Sequence, residues 1–346
     1  MVLKRLTLTL ARMAGLLLSI TFLAFLLVEF SPLDPVGQYV ASMRGVSDEQ
    51  VARIAELWGQ DLPWWERYFG WLGGVLTGDF GVSHIHRAEV TDILATAVGN
   101  SLLLMAMAWV LSAVLGYGLG VLAGATRGSV LDRVIVLVCY VLTSTPTFVV
   151  GLVLMLIFAV QLGWAPIGLS QPLGMLREDV TFGDRLRHAV LPAITVAIVG
   201  VANVTVHTRQ AMGEFMESDV ARFARARGMG TWTVVRRHGI RNTLLPAVML
   251  QFTTLSSLIS GAALAEVVFS YHGLGSVITQ AGLDSDVPLL LGGVLIAAVL
   301  VFVGNFCADV IAVALEPRVR RSVAAQEGDG ARTVARGEVA YAPGPQ

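Results

Sequence analysis

Six apolar stretches constrain this chain more than any other feature of its sequence. They run approximately over residues 9 to 30, 99 to 125, 134 to 161, 189 to 212, 244 to 269 and 288 to 314. A hydrocarbon core of about 30 Å needs roughly 20 apolar residues at about 1.5 Å of rise each, so every one of the six can cross a bilayer as a helix. Only 14% of the residues are charged, against roughly a quarter in a soluble domain. The reading is an all-α membrane protein with six transmembrane helices, since a helix satisfies its own backbone in lipid. The first stretch follows Lys4 and Arg5 in the manner of a signal peptide. Its apolar part is too long and no small-residue cleavage site follows it, so it is expected to be retained.

Lysine and arginine set the orientation. They concentrate before the first stretch, between the second and third, between the fourth and fifth, and after the sixth. By the positive-inside rule those segments and both termini are expected to be cytoplasmic in a multi-pass membrane protein. The organisation is then an N-terminal transmembrane helix over 1–30, an external region over 31–98, a core of five helices over 99–315 with a basic cytoplasmic segment at about 213–243, and a tail over 316–346. The tail is poor in apolar residues and is expected to be disordered. In the external region "SPLDP" precedes "SDEQVARIAELWG", read as an amphipathic helix capped by Ser47 with Gln50 three residues on. Trp64, Trp65 and Trp71 follow, at the expected level of the headgroups. A cysteine replacing Ser83 is expected to react with an impermeant reagent from outside. A second external loop, about 162 to 188, carries turn signals in "GWAPIG" and "SQPLG".

Much chemistry is missing. The only lysine is Lys4 and no GxxxxGK[ST] occurs, so the chain has no lysine-bearing phosphate cradle. "GMG" at Gly228 and Gly230 has Thr233 where a dinucleotide site needs its third glycine. No HEXXH, GxSxG or catalytic carboxylate pair is present. His84 and His86 form an H-x-H on an external loop, which reads as solvated surface, because a closed metal site needs more ligands. Cys139 and Cys307 each lie inside an apolar run and offer no CxxC site. No catalytic residue, cofactor or metal is assigned to this chain, and nothing in it is read as a nucleic-acid element. Glu266 and Asp309, ionisable within apolar runs, are candidates to line a pathway or gate; the plainer alternative is a carboxylate that reaches the interface or bonds a neighbouring helix. Pro146 in "TSTPTF" removes a backbone donor and should kink or loosen the third span. Gly116, Gly118 and Gly120 suggest close helix packing.

The basic segment "RARGMGTWTVVRRHGIRNTLLP" occupies residues 225–246. "ESDVARFARARG" reads as a short helix with Val220, Phe223 and Ala224 on one face and Gly228 as its C-cap. A second short helix, "TWTVVRRHGIRN", runs into Pro246. Such a segment could dock a partner, or it could be a positively charged loop lying on anionic lipid.

At these residues the sequence resembles the permease subunits of bacterial ABC importers, in their oligopeptide, dipeptide and nickel branch. The resemblance covers nearly the whole chain and rests on "PWWERYFGWLGGVLTGDFGVS", "GSVLDRV", "RHAVLPA", "DVARFARARGMGTWTVVRRHGIRNTLLPAV" and "EVVFSYHGLG" through "ALEPRVR". It implies a type I ABC importer permease-like fold, with the cytoplasmic segment acting as the EAA loop whose coupling helix docks into a separate ATPase. The final alanine and the glycine of that motif fall on Ala224 and Gly228, while Arg222 and Phe223 occupy its first two positions, a departure from the general pattern. The coupling residues implied are Asp219, Phe223, Ala224, Gly228, Gly230, Arg237 and Pro246, with Phe223 and Ala224 as the inserted face. The partners implied are a second homologous permease subunit, two ABC ATPase subunits that bind ATP and magnesium, an extracytoplasmic substrate-binding protein, membrane lipid and a di- or oligopeptide substrate. Nickel chelates, glutathione or another small solute are the alternatives within this architecture. An autonomous channel or secondary carrier is the alternative of another class, although its coupling-ion residues would be wanted near the midplane, whereas these acids stand toward the span ends. A membrane scaffold without a transport role is a further rival.

Overall fold

A computed structural model describes residues 2–31, 35–41, 47–59, 61–175 and 178–315. The tail beyond 315 and part of "SPLDP" lie outside the described residues. Regular structure among the described residues is helical, apart from one isolated antiparallel bridge between Val82 and Glu89. The helices are α1 (Val2–Glu29), α2 (Pro35–Ala41), α3 (Asp48–Leu57), α4 (Trp64–Thr77), α5 (Val90–Ala125), α6 (Val130–Ser144), α7 (Thr147–Leu154), α8 (Phe182–Glu217), α9 (Asp219–Ala226), α10 (Thr231–Val234), α11 (Ile240–Thr253), α12 (Leu255–Val268), α13 (Leu274–Leu283) and α14 (Val287–Leu315). Widened π-type turns continue α7 through Gln161 and join α10 to α11.

All six apolar stretches are helical, but not all are straight. α1, α5, α8 and α14 are long and apolar enough to cross a membrane, and six spans result only if two bent pairs each count as one. The first bend, 107° between α6 and the α7 segment, falls at Pro146, where the sequence places it. The second, 61°, lies between α11 and α12 and is displaced from Pro246, which sits inside α11. At this break the Gln251 carbonyl accepts from the Trp109 indole (3.1 Å) and from the Thr254 hydroxyl (2.8 Å). Side-chain donors competing for a helix carbonyl are a recognised cause of bending.

α5 and α8 form the spine. Each has 36 residues, about 54 Å of helix at 1.5 Å per residue, so both project well beyond a bilayer core. α5 starts at Val90, which makes the last residues of the expected external region its first turns. Small residues let the two axes approach. A Cβ on Gly116 would stand 2.7 Å from Val204 Cβ, one on Gly120 2.5 Å from Thr208 Cβ, and one on Gly124 2.6 Å from the Arg209 carbonyl. Gly118 is not part of this contact, for a Cβ there meets nothing within 4 Å. The packing row is therefore Gly116, Gly120 and Gly124, spaced at i, i+4 and i+8 on one face. Gly120→Val should destabilise the chain by about 3 kcal/mol or more through overpacking, whereas Gly118→Ala should be neutral or slightly stabilising. Thermal unfolding of the two variants in detergent checks the contrast.

A partly buried ion pair fixes α6 to the same spine. Asp132, 2% exposed, accepts from Arg209 Nε and, at 2.9 Å, from Arg209 Nη2, while Gly128 N–H donates to it at 2.8 Å. Arg209 thus serves the interior of the bundle and not the loop charge that fixes orientation.

The region before α5 is built on α1 and on the start of α14. Tyr68 of α4 is buried against Phe22 and Phe25, and Trp64 and Trp71 pack around them while Trp65 points outward. The Ser47–Gln50 capping box forms as the sequence predicts. Ser83 departs from expectation. It is fully buried, donating to Asp286 Oδ2, and Asp286 also accepts from the backbone of His84, Ile85 and Leu289. A cysteine at that position would be shielded from reagent. His84 stacks on Trp58 at 4.2 Å. Burial there holds its imidazole below the usual histidine range, with the Asp286 carboxylate opposing the shift.

Candidate functional site

α8 ends at Glu217, and Ser218 turns the chain by capping α9, its hydroxyl accepting from Ala221 N–H. Ala221 and Ala224 are buried in a cluster with Val121, Met212, Phe215, Val234 and Val235. This corrects the expected inserted face: Ala224, 7% exposed, packs into its own chain, while Phe223 at 70% and Val220 at 54% face outward. Helical spacing alone allows either grouping, since residues three and four apart both share a face; the core of Met212, Phe215, Val234 and Val235 takes the arc that carries Ala221 and Ala224. Ala221 and Ala224 make one side of the helix, Val220 and Phe223 the other.

The end of α9 is fixed by its backbone. Gly228 has φ +82°, its N–H donates to the Arg225 carbonyl at 2.9 Å, and Met229 N–H donates to the Ala224 carbonyl at 3.2 Å. This is the Schellman arrangement, in which a left-handed glycine satisfies the last carbonyls of a helix. Met229 returns to the cluster that holds Ala224. Arg225 braces the turn by donating to the Met216 carbonyl at 2.6 Å. Gly230 then caps α10 through its backbone alone. Asp219 pairs with Arg222 at 3.4 Å on the surface, and Arg237 and Pro246 are exposed. The result is a short helix held rigidly at the end of the spine with two apolar side chains facing outward.

The pathway candidates separate. Glu266 lines no described cavity. It is 1% exposed and accepts from Ser101 Oγ of α5, from Gly275 N–H at 2.7 Å and from Ser276 N–H at 3.2 Å. Its carboxylate therefore closes the first turn of α13 onto α5. Pro146 is exposed at the bend and lines no described cavity either. Asp309 belongs to α14, but its side chain lies outside the described residues.

The open spaces lie along α5. At the end of the spine opposite α9, a cavity of about 520 Å³ is bounded by α5, the 169–175 loop, the start of α8 and His272. Its walls are tied together: Asn100 Nδ2 donates to the His272 carbonyl at 2.7 Å, and Leu169 N–H donates to the Phe269 carbonyl at 2.9 Å. Tyr271, whose phenol is pushed up to about 12 by burial and then by the Glu266 charge, donates to the Asn100 carbonyl at 3.3 Å. Further clefts continue along α5 through Val110 and Val114 to Tyr117 and Gly118. α8 helps to wall both, with Val190, Ala193 and Ile194 in one and Val204 in the other. No group of three or more metal-ligating side chains occurs among the described residues.

Comparison with known proteins agrees with this architecture. Residues 116–321 match the family model described as "Binding-protein-dependent transport system inner membrane component". The chain is 31% identical over 305 residues to the oligopeptide transport system permease protein AppB of Bacillus subtilis, covering 88% of this chain and 95% of that one. It is 32% identical over 337 residues to the dipeptide transport system permease protein DppB of Escherichia coli K12, covering 92% and 98%. A chain of the MetNI methionine ABC transporter, in inward-facing conformations, matches with a TM-score of 0.53 at 18% identity, over 65% of this chain and 97% of that one. That likeness shows the fold, a type I importer permease. The matched family segment contains the α5 glycine row, the α9 turn and the Glu266 corner, and the chain belongs to the binding-protein-dependent transport system inner membrane components, the permease subunits of ABC importers.

Proposed function

We propose that this chain is one half of the translocation pore of an ATP-driven importer of di- or oligopeptides. It would work with a second permease, two ATPases that hydrolyse ATP outside this chain, and an external binding protein. The observation that carries the reading is α9, braced against its own core through Ala221 and Ala224 while Phe223 and Val220 stand clear of it. Exposed apolar side chains on a rigid, arginine-ringed helix suit insertion into another protein's cleft better than contact with charged headgroups. Closure of the ATPase pair would draw the coupling helices together and bias the permease between inward- and outward-facing states, a coupling of two equilibria. The peptide substrate is carried over from relatives named as peptide permeases and aligned over nearly their whole length.

Uptake of a labelled dipeptide into vesicles tests this. It should require ATP, both ATPases and the binding protein together; uptake by this chain alone would identify an autonomous carrier. The proposed orientation places α9 and both termini in the cytoplasm. With Cys307 changed to serine, His86→Cys, at an exposed position, should label from outside intact cells, and Thr231→Cys should label only after permeabilisation. The reverse pattern would overturn the orientation and the coupling assignment together.

A further inference from the structure

The cavity at the end of the spine opposite α9 contains an unanswered charge. Arg185 is half-buried in its wall and is the one charged side chain among the described residues that line it. Among the described residues it has neither an ion pair nor a side-chain hydrogen bond. The neighbouring Asp184 does not neutralise it, since that carboxylate accepts from the Thr181 hydroxyl and backbone in a capping box. Arg185 also stands in the first turn of α8, where the helix dipole disfavours a cation. A partly desolvated guanidinium in such a place costs stability unless an anion meets it. The rest of the site is prepared, because the Asn100 and Leu169 bonds fix two walls, and Leu103, Leu173 and Phe182 supply apolar surface beside the charge. At about 520 Å³ the cavity is within the roughly 300–1,000 Å³ range of small-ligand sites.

We propose that this cavity is an entry subsite for the peptide and that Arg185 binds its C-terminal carboxylate as the peptide leaves the binding protein. This rests on the peptide-importer reading. A guanidinium offers a planar pair of donors matched to a carboxylate, and the clefts that follow along α5 lead from this subsite toward the coupling end. The binding protein selects the peptide, and Arg185 receives the end of it that every linear peptide shares.

The test uses the assembled complex in proteoliposomes, with labelled dialanine as substrate and the binding protein varied in concentration. Arg185→Gln should lower maximal dialanine uptake about tenfold or more, the loss expected for one charge-assisted hydrogen bond. The thermal midpoint of the ligand-free complex should not fall, since the charge removed was unpaired, and the half-saturating concentration of loaded binding protein should stay unchanged. Arg185→Lys should recover part of the uptake, and Arg187→Gln, altering an exposed neighbour, should have no effect. The subsite is overturned if Arg185→Gln leaves uptake unchanged, if Lys and Gln behave alike, or if the variant instead raises the half-saturating concentration of binding protein, which would make Arg185 a docking contact. Absence of dialanine uptake by the unmodified complex would remove the peptide reading and the subsite with it. Loss confined to the Arg185 variants leaves that reading standing.

Discussion

Phe223→Asp should leave the isolated chain as stable as before and abolish its co-purification with the ATPases. Phe223 is 70% exposed and belongs to no cluster of its own chain, so aspartate there meets water in the uncomplexed permease. In the docked state the same aspartate would be desolvated without a partner, at a cost of several kcal/mol. Ala224→Asp should do the opposite, because Ala224 is packed against Phe215 and Val235 and a charge there disrupts the α9 platform whether or not an ATPase is present. Gly228→Val works through the backbone: the added Cβ meets nothing within 4 Å, so its cost of about 1–3 kcal/mol comes from forcing a β-branched residue to φ +82°. Arg236→Ala and Arg237→Ala, at exposed positions, should have small effects. Thermal midpoint and ATPase pull-down, measured on all five variants, separate the roles. If the arginine variants lose assembly while Phe223→Asp transports normally, the segment is a basic lipid-facing loop and not a coupling surface.

What the sequence could say about this segment, and what it could not, follows from the range of each physical signal. Length and apolar content located the helices long and apolar enough to cross a membrane, and the two bent pairs, because such a stretch depends only on its own residues. Proline at 146 marked one bend for the same reason. The bend after Thr253 carries no such local mark, since one of the two donors to the Gln251 carbonyl at the break, the Trp109 indole, arrives from a different helix. Gly228 was legible as a cap because left-handed φ is a local demand. The outward side of α9 was not, for helical spacing groups residues into faces without saying which face finds a core; Ala224 was misplaced on that account. Gly118 and Gly124 exchange roles similarly. Arg209 and Asp132, which form a partly buried pair 77 residues apart, carry no spacing signal, and neither does Asp286 beneath Ser83. Arg185 carries no distinguishing signal in the sequence, where it is one of several charges around the start of α8; what sets it apart is that it has no ion pair among the described residues, which only three-dimensional structure reveals.

Glu266, a candidate to line a pathway or gate, is hydrogen-bonded between α5 and α13 as an anchor would be, and the expected consequences of changing it are large. Glu266→Ala should lower stability by about 3 kcal/mol or more, because one buried donor, Ser101 Oγ, and two partly buried ones, the N–H groups of Gly275 and Ser276, lose their acceptor at once. Ser101 is also the acceptor for Leu274 N–H at 2.7 Å, so the loss spreads to both sides of the α13 turn. Glu266→Gln should cost less. Its amide oxygen can still take the two α13 N–H groups, and only the contact with Ser101 has to rearrange, the hydroxyl turning to accept from the amide. Gly273→Ala should mimic the alanine variant by steric means, as a Cβ there would lie 2.2 Å from the Glu266 carboxyl carbon. Thermal unfolding of the assembled complex should therefore rank the unmodified chain above Glu266→Gln, and Glu266→Gln well above Glu266→Ala and Gly273→Ala. Transport per folded complex provides the second measurement, and it decides between anchor and gate. An anchor loses assembled protein and keeps its rate in what survives. If Glu266→Gln instead melts like the unmodified complex yet transports tenfold more slowly, the carboxylate acts during translocation, and the corner that it ties between α5 and α13 must open with each cycle.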